Sequence, residues 1–244
     1  MADGDAGKSP LRLTNTKYMN NSKSQGMIDQ TYCYGLADKH LRKMHERDYF
    51  SQAGQDLFVL SMLEFKTNGY YIEIGGADPF ESNNTFLLER DYSWKGLSLE
   101  FDNVLASRYN SLRKNSCICA DATNFNYFDK LQRLNYPIQI DYLSVDIDPA
   151  ANTYLALEKC PFNNYRFSVI TFEHELYSSG PKYMELSRIF LKSRGYQLVA
   201  RNVKCFGRTF EDWWIDPNII PKSIWEKYVC EEIEFTDVLA PRNS

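Results

Sequence analysis

What this chain of 244 residues lacks narrows its identity first. No apolar run approaches the ~20 residues that a membrane-spanning helix needs. None of the six cysteines forms a CxxC pair, so the spacing of zinc ribbons and thiol–disulfide motifs is missing. Basic charge is not in excess. The 28 Lys and Arg face 32 Asp and Glu, a net charge of −4, which disfavours a nucleic-acid-binding surface. Histidine is scarce, at three residues. The opening stretch "MADGDAGKSP" has no apolar segment of the signal-peptide kind. These absences together lead to the expectation of a reduced, cytoplasmic protein that has no membrane association, with Cys117 and Cys119 as half-buried free thiols on one strand.

Hydrophobic residues make up 43 % of the chain and aromatics 15 %, enough to fill the core of one large domain. Residues 1–27 are polar and aperiodic, the pattern of a tail. Residues 28–244 are expected to form a single domain with its core in 50–217, and 27–50 shows helical spacing. From Ser51 onward helical and strand-like segments alternate. The helix "SQAGQDLFVLSMLEF", with Ser51 as N-cap, is followed by the strand "YYIEIGG" and the helix "SNNTFLLERD", capped by Ser82 or Asn83. Further strands are "WKGLSLEF", "SCICADAT", "IDYLSVDIDP", "YRFSVITFEHE", "YQLVARNV" and "TFEDWWID", most of them separated by helical stretches. Continuously apolar strands alternating with helices define a doubly wound α/β domain: a mostly parallel seven-stranded sheet with helices on both faces. Such sheets bind ligands at the carboxyl ends of their strands.

Those ends are acidic. Glu73 and Asp78 flank the first, Glu100 and Asp102 close the second, and Asp121 ends the third. Asp146 and Asp148 end the fourth, and Glu173-His174-Glu175 the fifth. An acid at the end of the second strand suits the two hydroxyls of a ribose, because a carboxylate offers only acceptors. The first turn, Gly75-Gly76-Ala77-Asp78-Pro79, lacks the GxGxxG pattern and places an acid where a pyrophosphate would be repelled. A nucleoside ligand with a cationic amino-acid end fits better, and S-adenosylmethionine is such a ligand. Glu73 or Asp78 would meet its ammonium, Glu100 its ribose, and Asp121 with Ala122 its adenine edge.

Taken as an ordered set, "SQAGQDLFVL", "GYYIEIGGADPFESNNTFLLERDYSWKGLSLEFD", "CADAT", "DYLSVDIDP", "ITFEHE" and "FEDWWIDP" resemble the FkbM-type, S-adenosylmethionine-dependent methyltransferases of class I over residues 50–217. The resemblance implies methylation of a hydroxyl on a sugar or another small molecule. It matches Glu73, Gly75, Ala77 and Asp78 to the first cofactor motif, with Gly76 in the same turn also expected at the cofactor, and Asn84 and Thr85 to an "SNT" stretch. Glu100 corresponds to the ribose acid, Asp121 to the adenine-side acid, and Asp146 to the acid closing the fourth strand. The chain departs from the family in having EIGGADP where DIGANDG is usual, and Asp146-Ile147-Asp148-Pro149 where D-x-E-G is usual.

Methyl transfer needs a positioned acceptor and a base for its proton. His174 and Asp146 are the two candidate bases, with Asp148, Glu173 and Trp214 expected on the acceptor side. Of the adjacent Trp213 and Trp214, one is expected in the core and the other beside the substrate, because neighbouring strand residues face opposite ways. A divalent ion on Asp146, Asp148 and Glu173 or Glu175 is left open, as is the oligomeric state. The rival classes are a non-catalytic binding module and an RNA-cap 2′-O-methyltransferase.

Overall fold

The computed structural model of the protein describes residues 49–240, so the expected tail and all but the last two residues of the leading helix lie outside the described residues. The first described helix, α1 (Gln55–Met62), starts from Gly54 in the left-handed region, φ 71°. Ser51 does not cap it. The Ser51 hydroxyl instead donates to Asp56 Oδ1 (2.6 Å), and Asp56 also gathers the backbone N–H groups of Phe50, Ser51 and Leu57. The carboxylate has more acceptor sites than the hydroxyl and takes over the turn.

Strand β1 (Tyr70–Ile74) is followed by α2 (Phe86–Tyr92), β2 (Lys95–Glu100), α3 (Asn103–Leu112), β3 (Ser116–Cys119) and α4 (Tyr127–Arg133). Then come β4 (Gln139–Val145), α5 (Ala150–Lys159), β5 (Arg166–Glu173), the short α6 (Leu176–Ser179) and α7 (Lys182–Ser193). The chain closes with the β6 (Gln197–Cys205)–β7 (Arg208–Ile215) hairpin, α8 (Lys222–Trp225), a 3₁₀ turn, β8 (Cys230–Glu231) and α9 (Phe235–Val238).

The sheet order is β3-β2-β1-β4-β5-β7-β6-β8. β1 to β5 pair in parallel, whereas β7 runs antiparallel to both β5 and β6. This is the expected Rossmann-like α/β sheet, with one more strand than the seven expected: β8, two residues long, pairs with Ala200 and Arg201 of β6. Two residues carry too little hydrophobic pattern to be recognised as a strand in sequence.

Side chains alternate across the pleat. Tyr71, Tyr142, Val169 and Trp213 face the cluster that α1 and α2 cover. Ile72, Ile74, Val145, Phe172 and Trp214 face the cluster beneath α4, α5 and α7. No helix among the described residues is long and apolar enough to cross a membrane.

Candidate functional site

Because β1, β2, β4 and β5 are parallel, their carboxyl ends share one edge, which carries Gly75, Glu100, Asp146 and Glu173. β7 runs the other way, so its first half reaches that same edge and sets Glu211 directly opposite Glu173.

The β1–β2 half is built around Gly75, at φ +95°, where a Cβ would collide with the backbone oxygen of Asp146. Only glycine allows that approach of the two strand ends. The amides of Gly75 and Gly76 both donate to the Leu99 carbonyl, at 2.9 and 3.0 Å. Ala77, exposed and at φ 37°, donates its N–H to Glu100 Oε2 (2.8 Å), while Glu100 Oε1 accepts from Asp102 N (2.8 Å). Each Glu100 oxygen thus takes one backbone donor and keeps lone-pair capacity toward solvent. Asp78 Oδ1 accepts from the amides of Phe80 and Glu81, and Oδ2 pairs with Arg108 (2.7 Å).

Glu73 lies below the turn, on the α2 side of the sheet, 1 % exposed. It accepts from the hydroxyls of Thr85 (3.0 Å), Ser98 (2.7 Å) and Tyr109 (3.2 Å). Burial pushes its carboxyl up, against the opposing pull of Arg113 and those hydroxyls. The structure does not bear out an opening of Glu73 onto the turn: strand parity turns it inward, where hydroxyl donors surround it. Asn84 Nδ2 donates to Ser144 Oγ (2.9 Å), and its buried Oδ1 has no hydrogen-bond partner among the described residues. Thr85 is fully buried between Glu73 and Arg113. At the end of β3, Asp121 is exposed and folds back on Thr123 and Asn124, which hold its carboxyl below the usual range. The Ala122 carbonyl accepts from the Tyr127 hydroxyl (3.0 Å). The two β3 cysteines differ: Cys117 is buried, its thiol pushed up to about 12 chiefly by burial, and Cys119 is exposed.

The β4–β5–β7 half gathers carboxyls against one another. Asp146 and Glu173 are hydrogen-bonded together, which requires a proton between them. Burial raises both, and the charge of Asp146 raises Glu173 further, so the pair holds that proton well above the ordinary carboxylate range. Glu211 adjoins them, 1 % exposed, its Oε2 accepting from Gln55 Nε2 (2.8 Å) and Trp213 Nε1 (2.9 Å). Burial pushes its carboxyl up to about 8 despite these donors. Asp148 is exposed at the rim. Glu175 is not part of the pair, because its Oε2 caps α5 through the Ala150 amide (2.7 Å). Tyr177 is 49 % exposed on α6, close enough to Glu173, Glu175 and Asp148 for their charges to raise its phenol, after the larger effect of burial.

Besides Glu73, two expected site residues prove to be elsewhere. His174 is 0 % exposed and faces the α7 side. Its Nδ1 accepts from Leu176 N (3.2 Å), and Nε2 lies 3.5 Å from Asp212, which a two-pronged contact from Arg188 also holds. Burial raises the Asp212 carboxyl, but Arg188 and His174 outweigh it and keep it low. One step along β5 from Glu173, His174 necessarily points to the opposite face, so it has no access to an acceptor. Trp214 is likewise 0 % exposed, as is Trp213. Both are core, one per face, and neither stands beside a substrate. Among the described residues no group of three His, Cys, Asp or Glu is disposed to hold a metal ion.

Arg113, Gln55 and Glu211 adjoin the site and were not singled out from sequence, and Asn83, expected only as a helix cap, does accept from the Thr85 and Phe86 amides at the start of α2. For Glu211 a signal existed: an acid at an inward position of "FEDWW", where β7 is otherwise packed.

No family model matches the chain, and no curated protein does. Solved structures do. A putative rRNA methylase from Clostridium thermocellum is 12 % identical, covers 69 % of this chain and 97 % of its own, and has a TM-score of 0.47. An rRNA methylase from Streptococcus thermophilus is 11 % identical, with 66 % and 94 % covered and a TM-score of 0.44. The N-methyltransferase NodS from Bradyrhizobium japonicum is 12 % identical, with 67 % and 94 % covered and a TM-score of 0.43. At such scores the functional argument stands on this chain's own residues.

Proposed function

We propose that the protein is an S-adenosylmethionine-dependent O-methyltransferase of class I, resembling the FkbM type, acting on a hydroxyl of a small molecule such as a sugar. The observation that carries this is the pairing, on one sheet edge, of a glycine turn locked to Glu100 with a proton-sharing carboxyl pair, Asp146–Glu173. The donor set fits the cofactor: Glu100 retains acceptor capacity for ribose hydroxyls, the Gly75–Ala77 backbone passes beside it, and Asp121 with Ala122 stands at the adjoining β3 end. When bound, the cofactor supplies an electrophilic methyl group on a sulfonium.

The chain's own residues do the rest. Asp146 accepts a hydrogen bond from the acceptor hydroxyl and takes its proton, and Glu173 redistributes that proton within the pair. Glu211, buried and held by Gln55 and Trp213, backs the pair from β7. The single negative charge that the Asp146–Glu173 pair keeps, with exposed Asp148 at the rim, disfavours a phosphate backbone, which favours a neutral acceptor over a nucleic acid. Cytoplasmic residence is part of the same proposal. A binding module that kept the fold without turnover is the second reading, favoured by the many acids of the site that already have protein partners.

Titration of the purified protein with S-adenosylmethionine, S-adenosylhomocysteine and NAD by calorimetry tests this. Micromolar binding of the first two and none of NAD is the expected result. Failure to bind either sulfur ligand rejects the methyltransferase proposal, and binding without methyl consumption over a panel of hydroxyl acceptors selects the module.

A further inference from the structure

Just past the last residue of α3, the chain turns a guanidinium inward. The Arg113 side chain is 0 % exposed. Nη1 donates to the Pro79 carbonyl (2.9 Å) and to Asn83 Oδ1 (3.0 Å). Nη2 donates to the Tyr71 hydroxyl (3.3 Å) and Thr85 Oγ1 (3.2 Å), and Nε to Glu89 Oε2 (3.1 Å). All five N–H groups of the fork are therefore used. The cation also lies 4.6 Å from the Tyr109 ring centroid and 5.1 Å from that of Phe86. Asn83, 2 % exposed, carries the connection onward: its Nδ2 donates to the carbonyls of Gly76 (3.1 Å) and Asp78 (3.2 Å). Its Oδ1 meanwhile accepts from the amides of Thr85 and Phe86 at the start of α2.

A buried guanidinium is costly to desolvate and is retained where its geometry does something that a packed apolar side chain would not. Here it spans three pieces of chain, the Pro79–Thr85 loop, β1 and α2, and through one asparagine reaches the carbonyls of the turn. Neither residue has an atom at the exposed face of the turn.

We infer that Arg113 and Asn83 are positioning residues for the ligand turn: together they set the path of Gly75–Asp78, so that affinity at the exposed face is controlled from the buried end of α3. The inference deepens the proposed methyltransferase site and rests on it for the identity of the ligand. A lysine at 113 keeps the charge but cannot span the same acceptors. An aspartate at 83 keeps the Oδ1 acceptor used by Arg113 and α2, and replaces the two donors to the turn by a carboxylate oxygen that repels the Gly76 and Asp78 carbonyls.

The experiment compares Arg113→Lys, Asn83→Asp and Arg166→Lys. Arg166 is likewise an ion-paired arginine, bound to Asp216 at the opposite end of β5. Dissociation constants for S-adenosylhomocysteine, melting temperatures and amide hydrogen exchange at Gly76 and Ala77 are measured on the full chain. Arg113→Lys and Asn83→Asp should each weaken binding roughly ten-fold and speed exchange at the two amides, while Arg166→Lys lowers the melting temperature and changes neither. Wild-type affinity and exchange in Asn83→Asp would overturn the inference, as would an equal loss of affinity in Arg166→Lys. If wild type binds no S-adenosylhomocysteine, the methyltransferase proposal fails, and exchange alone still decides whether the two residues hold the turn. If Arg113→Lys does not fold, Asn83→Asp decides it.

Discussion

The two halves of the carboxyl edge use the same residue type in opposite ways. Under β1 and β2, Glu73 is surrounded by three hydroxyl donors with Arg113 nearby, so the rise that burial gives its carboxyl is opposed by fixed donors and a cation. At β4, β5 and β7, Asp146, Glu173 and Glu211 lie close together, and the donors Gln55, Trp213 and Thr171 all go to Glu211, so a proton is held instead. A carboxylate saturated by donors fixes a shape. Carboxyls packed against each other store a proton and can exchange it, which is what acid–base chemistry needs. The first half is thus suited to holding a ligand and the second to acting on one.

Substitutions can break that division of labour. The largest effect is expected for Asp146→Asn, which should lower kcat by ~10²–10⁴-fold while leaving S-adenosylhomocysteine affinity intact, read by methyl transfer to whichever hydroxyl acceptor proves active. Equal losses in binding would merge the two halves. Glu100→Ala should do the reverse and weaken cofactor binding by roughly ten- to a hundred-fold, seen by calorimetry, since both of its oxygens sit at the ligand face.

Glu211→Gln sharpens the comparison through pH. The folded-state value of Glu211 is raised to about 8 from an ordinary 4.5. Between those values the folded protein keeps a proton that the unfolded chain has released, so stability falls as pH rises through the window and levels off above it. The slope from this group approaches ~1.4 kcal/mol per pH unit. Glu211→Gln should remove that decline, matching wild type near pH 4 and melting higher than wild type at pH 9; equal melting curves at both pH values would show that Glu211 is ionised throughout. The smallest effect on chemistry is expected for His174→Gln. It should change kcat less than ~3-fold and leave the pH–rate profile unmoved, because the imidazole faces away from the edge; loss of a titrating limb in that profile would restore His174 as the base.

The fold was largely legible in sequence. The alternation of apolar strands with helices predicts the parallel sheet, and the acid-flanked Gly75–Gly76 and Glu100 lie at strand ends as expected. The legible part of the site was the part fixed by position along the chain. Glu100 ends β2 in any fold built from these strands. His174 was misplaced because it lies one residue from Glu173 and a shift of one residue reverses the face, and Trp214 because both faces of the sheet are covered at β7, so that it and Trp213 are equally buried. Arg113 was invisible because its partners, from Tyr71 to Glu89, stand far away in sequence; Asn83 was legible only as a helix cap, and its link to Arg113 was not.

By itself the sequence determined the order of the strands and helices as far as β7, and that the strand ends are acidic, because periodicity and turn chemistry act over a few residues. Only the tertiary structure decided which acids are met by donors and which by one another. That depends on the antiparallel entry of β7, which brings Glu211 to Glu173 and Asp146, and on the burial that results; neither is a property of any local stretch of chain.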